Sequence, residues 1–140
     1  MTTAKVQWAF LCDHAVADQA GKPCLVGIFE GLMVPSIPAK HPHAVLAMSL
    51  EGDSDEILDV KLELVRPDSQ DPILDFSFRV PLGRSSLPST PSSQRIYFSM
   101  NDLPIPDRGL YEFRIYLSKE TTPYVVQLQV VKAPRTPSPA

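Results

Sequence analysis

Four runs alternate apolar and polar residues with a period of two, and no other feature of the sequence restricts its fold as tightly. Leu58, Val60, Leu62 and Leu64 alternate with Asp59, Lys61 and Glu63, and Leu74, Phe76, Phe78 and Val80 alternate with Asp75, Ser77 and Arg79. Tyr111, Phe113, Ile115 and Leu117 alternate with Glu112, Arg114 and Tyr116, and Val126, Leu128 and Val130 alternate with Gln127 and Gln129. Successive side chains of a strand point to opposite faces, so each run has one dry and one wet face. A helix would place its apolar residues three and four apart. An antiparallel sheet packed on one side produces the observed pattern.

The 15 prolines agree with this. They bracket the apolar runs and do not interrupt them, which suits short strands joined by turns. Less regular strands are expected at 6–16, apolar on both faces as a central strand would be, at 24–29 and 44–50, and through Ile96, Phe98 and Met100. The expected architecture is all-β: a two-sheet antiparallel β-sandwich, immunoglobulin-like, of about eight strands. Residues 18–22 read as a hairpin turn, and Glu51-Gly52-Asp53-Ser54-Asp55-Glu56 as a solvated acidic hairpin turn. Residues 83–94 read as a long mobile loop. One sandwich domain is expected over 1–132, followed by a Pro-rich flexible tail at 133–140.

With 140 residues, the chain can bury a core without staples. A net charge of −3 argues against a nucleic-acid binder. No apolar run approaches the roughly eighteen residues of a membrane-spanning helix, and residues 8–12 are too few for a signal-peptide core. The expected location is the cytoplasm.

The segment Asp107-Arg108-Gly109-Leu110-Tyr111-Glu112-Phe113 resembles the Asp-x-Gly-x-Tyr corner of immunoglobulin-type sandwiches. The resemblance implies a buried Tyr111 whose hydroxyl bonds backbone between Leu103 and Arg108. Two marks of that family are absent. Phe113 stands where an antibody domain has its second cysteine, and Trp8, the single tryptophan, lies on the first strand. A wider resemblance rests on Leu11-Cys12-Asp13, Gly27-Ile28-Phe29, Pro35-Ser36-Ile37-Pro38, Leu103-Pro104-Ile105-Pro106 and Gly109-Leu110-Tyr111-Glu112-Phe113. In this order they are similar to a family of small uncharacterised bacterial proteins, a domain of unknown function. That resemblance implies no activity.

The chemistry-bearing residues are few. His14, His41 and His43 are the only histidines. His41-Pro42-His43 offers two imidazoles, but the spacing matches none of the stronger zinc patterns, and the expected arrangement is two solvated histidines in a loop. Cys12-Asp13-His14 suggests a nucleophile beside a base. Strand alternation turns Asp13 away from His14, so the carboxylate cannot orient the imidazole. Cys12 and Cys24 lie too far out of register for a disulfide and are expected to be free thiols. The acidic turn lacks an EF-hand layout. Gly27 and Gly31 show no phosphate-loop pattern and read as a bulge or strand end.

No catalytic, cofactor-binding or metal residue is therefore assigned, and no cofactor is expected. The leading expectation is a non-enzymatic binding or protein-interaction module, not an enzyme, with an unidentified protein partner. The alternatives are a metal-dependent enzyme using His41, His43 and His14, or a structural subunit assembling through sheet edges. The uncharged segment 32–38 is expected to cover the sandwich edge as a crossover, or to line a groove.

Overall fold

The computed structural model describes residues 4–69, 71–85, 90–118 and 120–134, and among these there is no helix. Nine strands form, against the eight or so expected: β1 (Lys5–Ala17), β2 (Pro23–Ile28), β3 (Gly31–Val34), β4 (Ala39–Gly52), β5 (Ile57–Val65), β6 (Leu74–Pro81), β7 (Ser92–Ile105), β8 (Gly109–Leu117) and β9 (Tyr124–Lys132). They form a four-stranded sheet of order β2-β1-β4-β7 and a five-stranded sheet of order β3-β9-β8-β5-β6. The fold is a β-sandwich.

The alternating runs do what their pattern predicts. Leu58, Val60, Leu62 and Leu64 of β5 meet Tyr111, Phe113, Ile115 and Leu117 of β8 and Ala44, Leu46, Met48 and Leu50 of β4 in one buried core. Each fully buried side chain of this size is worth roughly 1.5–3 kcal/mol. On the wet face, Asp59 pairs with Arg79 at 3.0 Å and Glu112 with Arg114 at 2.8 Å. The exposed Asp59–Arg79 pair is worth about 0–1 kcal/mol and the part-buried Glu112–Arg114 pair lies within one strand, so the dry face sets the register. Residues 44–50 do not alternate because β4 is covered on both sides. Cys12, Val45 and Ala47 form a second small cluster on its outer face, with Trp8, Ala15, Leu25 and Tyr97 packed around it.

Three expectations need correction. The sheet is not wholly antiparallel, since β3 pairs parallel with β9, from Gly31 opposite Gln129 to Val34 opposite Lys132. Four residues between a glycine and Pro35 are too few to show alternation, which is why β3 is not legible as a strand. The acidic turn is not a hairpin, because it carries the chain from β4 in one sheet to β5 in the other. There Glu56 accepts the Asp53 N–H at 3.0 Å, and Asp55 takes φ 62°. Finally, of the expected loop at 83–94, residues 92–94 already belong to β7. Gly83 accepts the Asp55 N–H at 3.3 Å, and Arg84 pairs with Asp55 at 3.1 Å. Residues 86–89 of that loop, and 135–140 of the expected tail, lie outside the described residues. Ala133 still donates to the Val34 carbonyl at 2.8 Å.

Tyr111 is fully buried where the chain passes from β7 to β8 and changes sheet. Its hydroxyl donates to the Asp107 carbonyl and accepts from the Asp107 N–H at 3.1 Å. Arg66 also donates to that hydroxyl at 3.1 Å, and to the Arg108 carbonyl at 2.9 Å. Glycine suits position 109 because φ 121° is a backbone conformation that residues with a Cβ rarely adopt, and an added Cβ would also lie 2.7 Å from the Arg66 guanidinium.

Candidate functional site

The two sheets leave a groove where β1 and β9 face each other. Strand β2 accompanies β1 only as far as Ile28 opposite Cys12, and Phe29 closes the ladder by donating to the Leu11 carbonyl at 2.9 Å. Strand β3 accompanies β9 only from Gln129 onward. Between these limits each strand has one unpaired edge, and the space holds about 680 Å³, lined by Ala9, Phe10, Ile28, Glu30, Val125 and Gln127 among others. That is within the range of ligand pockets.

Strand geometry settles which backbone groups face the groove. A residue's N–H and C=O leave the strand on the same side, and consecutive residues alternate. Gln129 donates to the Glu30 carbonyl at 2.8 Å, on the β3 side. The β8–β9 register is continuous, so the N–H and C=O of Val125 and Gln127 point the same way, into the lane β3 has not yet entered. By the same reasoning from Leu11, the N–H and C=O of Ala9 face the lane from β1. Open apolar side chains surround this backbone, with Glu30, Gln127 and Gln129 among them. Phe10, Ile28, Tyr124 and Val125 are between 38% and 53% exposed. The stretch 124–131 carries no charge.

Sequence reasoning missed this groove. A faint signal exists, because Tyr124-Val125-Val126 and Trp8-Ala9-Phe10-Leu11 are apolar at both parities, unlike the clean runs that follow or lie elsewhere. Which side of these strands lacks a partner depends on where β2 and β3 stop.

The structure brings together only part of the histidine set. His14 of β1 and His43 of β4 stack, with ring centroids 5.6 Å apart and planes at 30°. Asn101 Oδ1 lies 3.0 Å from His43 Nδ1. His41 is not with them. Its ring packs against Phe29 at 5.9 Å, and its Nε2 is buried without a hydrogen-bond partner. The expectation of two solvated loop histidines is corrected, since both lie within β4 and are half-buried. They are drawn in because β4 pairs with β7 along its whole length, His41 opposite Leu103 and His43 opposite Asn101. Among the described residues, no three His, Cys, Asp or Glu side chains converge on a point that could hold a metal ion.

Cys12 is fully buried, and its thiol donates to the Val45 carbonyl at 3.6 Å. Burial, and secondarily the Asp13 carboxylate, push this thiol above its ordinary range, which opposes formation of a nucleophilic thiolate. Asp13 turns to the other face and lies over Gly27, where an added Cβ would come within 2.3 Å of its carboxylate. Cys24 stands opposite Val16 and Cys12 opposite Ile28, so the register holds the two cysteines apart, and both are free thiols. Segment 32–38 covers the sandwich edge. Val34 joins the core, Leu32 and Ile37 pack against it, and Met33 is exposed.

Among the described residues no helix is long and apolar enough to cross a membrane. No curated protein matches the chain significantly in sequence. Solved structures share the fold at low identity. A β-glucosidase from Erythrobacter marinus matches over 93% of this chain and 16% of its own, with 8% identity and a TM-score of 0.53. The C-terminal domain of wzt matches over 93% of this chain and 74% of its own, with 15% identity and a TM-score of 0.52. A β-glucosidase from Listeria innocua matches at 12% identity and a TM-score of 0.48, over 95% of this chain. The chain spans about 16% of the length of these glucosidases. The likenesses to the Erythrobacter marinus enzyme and to the wzt domain concern the sandwich alone. Residues 7–131 match the sequence pattern of DUF6941, described as a family of unknown function, and the chain belongs to that family.

Proposed function

We propose that this protein is a non-enzymatic interaction module that takes an extended peptide segment of a partner protein as an added strand beside β9. The observation that carries the reading is the unpaired, uncharged edge of β9, with the backbone of Val125 and Gln127 turned into a groove of mixed apolar and polar lining. A row of alternating amide donors and carbonyl acceptors is matched by another extended backbone. The chain already fills this lane for four residues with β3, so an incoming strand continues an existing ladder. Phe10, Ile28, Tyr124 and Val125 supply the surface for its side chains. The strand order, with β3 parallel to β9 and Tyr111 pinning the β7–β8 corner, supports an immunoglobulin-like arrangement. Two unpaired thiols fit a reducing compartment such as the cytoplasm.

The test uses a displayed library of random decapeptides selected against the full chain. Val125→Pro removes one N–H from the open edge and leaves the β8 ladder intact, because proline is tolerated where the N–H faces away from a partner strand. Selected peptides should be extended and rich in β-branched residues. Val125→Pro should weaken their binding at least tenfold, while Arg79→Ala on the far edge leaves it unchanged. The amides of Val125 and Gln127 should exchange rapidly with solvent in the free protein and become protected by bound peptide. Failure to select binders, or equal binding by Val125→Pro, refutes the reading. A dimer in solution that Val125→Pro dissolves would assign the groove to a second copy instead.

A further inference from the structure

We propose that His14 and His43 form a two-imidazole site for a borderline divalent transition-metal ion, on the outer face of the four-stranded sheet. The pairing of β1 with β4 runs in register to Cys12 opposite Val45, so continuing it sets His14 across from His43. Their ring centroids are 5.6 Å apart. An imidazole nitrogen sits about 2.0–2.1 Å from such an ion, so two ligating rings have centroids about 4.5–5.6 Å apart for angles of roughly 90–120° at the metal. The pair is already at the outer end of that span.

Asn101 also faces His43: its Oδ1 lies 3.0 Å from Nδ1, and in the tautomer that donates from Nδ1 to this oxygen, Nε2 is the nitrogen left for a metal ion. This is the outer-shell contact that metal-binding histidines characteristically make. His14 is exposed on β1 and stacked on His43, and a turn of its ring out of the stack would aim a nitrogen at the same ion. The neighbouring groups do not enlarge the site. Cys12 shares the face but is buried, bonded to Val45 and disfavoured as a thiolate, and His41 is held against Phe29. The remaining coordination positions belong to water or an external ligand. Two nitrogen donors of this type favour Cu²⁺ over Ni²⁺ and Zn²⁺.

Calorimetric titration of the full chain with Cu²⁺ near neutral pH tests the site. One ion should bind per chain in the tighter phase. His14→Gln and His43→Gln should each weaken that phase at least tenfold, and His41→Gln should leave it unchanged. Asn101→Ala should weaken it by about tenfold or more, the usual effect of losing an outer-shell partner. The rise in Tm with Cu²⁺ should vanish in both His14→Gln and His43→Gln. The site is refuted if either of these variants binds as the native chain does. It is also refuted if His41→Gln removes the binding equally, since the ion then sits elsewhere.

Discussion

The sandwich has two open sides, and they differ in how the unpaired edges are handled. At the β6/β7 side, aromatic rings from both sheets meet. Phe98 of β7 lies 5.0 Å from Phe76 and stacks on Phe78 at 6.0 Å. The edge strand β6 carries Asp75 and Arg79 and ends at Pro81, all features that discourage strand addition. At the β1/β9 side no ring among the described residues bridges the sheets in this way. Phe10 stacks on Trp8 at 5.8 Å, within its own strand, and leaves the groove open. The neighbouring stretch of β9 has neither charge nor proline. One side joins rings of both sheets beside a groove of about 530 Å³ and guards β6 with charge, while the other offers an uncharged stretch of bare β9 backbone. The same physics that makes such an edge an aggregation hazard makes it a recognition surface when a specific partner exists.

The largest expected effect contrasts the two sides directly. Phe98→Ala should destabilise the fold by about 2 kcal/mol, below the 3–5 kcal/mol of a fully buried phenylalanine because Phe98 is half-buried. Phe10→Ala, with the ring 43% exposed, should cost under about 1 kcal/mol. Urea unfolding of both variants measures the difference, and equal losses would break the distinction between a side bridged by rings and one that is not. Tyr111→Phe comes next, at about 1–2 kcal/mol, because the Asp107 N–H and Arg66 lose their acceptor. Amide exchange at Val125 should not respond, since Val125 stands opposite Arg114, three residues along β8 from Tyr111. A change there would mean that the corner shapes the groove as well as the fold. The smallest effect is that of Arg79→Ala. Its pairing with Asp59 is exposed on both sides, so stability should shift by no more than about 0.5 kcal/mol. Removing that guard should nevertheless lower solubility, measured as the light-scattering onset concentration. No change in solubility would leave the charge on β6 without its assigned role.

Much of the architecture was legible in the residues. The clean alternation of β5 and β8 put Leu58, Val60, Tyr111 and Phe113 on one face, and the structure buries all of them. The corner tyrosine was legible because Asp107 and Tyr111 are a local pair whose bond spans only four residues. The alternation of β6 was legible as a strand but misleading about burial. Phe76 is 40% exposed, because an edge strand has neighbours on one side only.

The sequence by itself determined the strand class, the dry faces and the corner, since these follow from spacing within a few residues and from the cost of exposing apolar surface. Tertiary structure alone decided which strands became neighbours. Where β2 and β3 stop sets the length of bare edge on β1 and β9, and no local pattern encodes the absence of a partner. The meeting of His14 with His43, and the parting of His41 from both, came about in the same way. Residues 29 positions apart share a register only once β1 and β4 have paired, while His41, two residues from His43, is drawn to Phe29 by the packing around it.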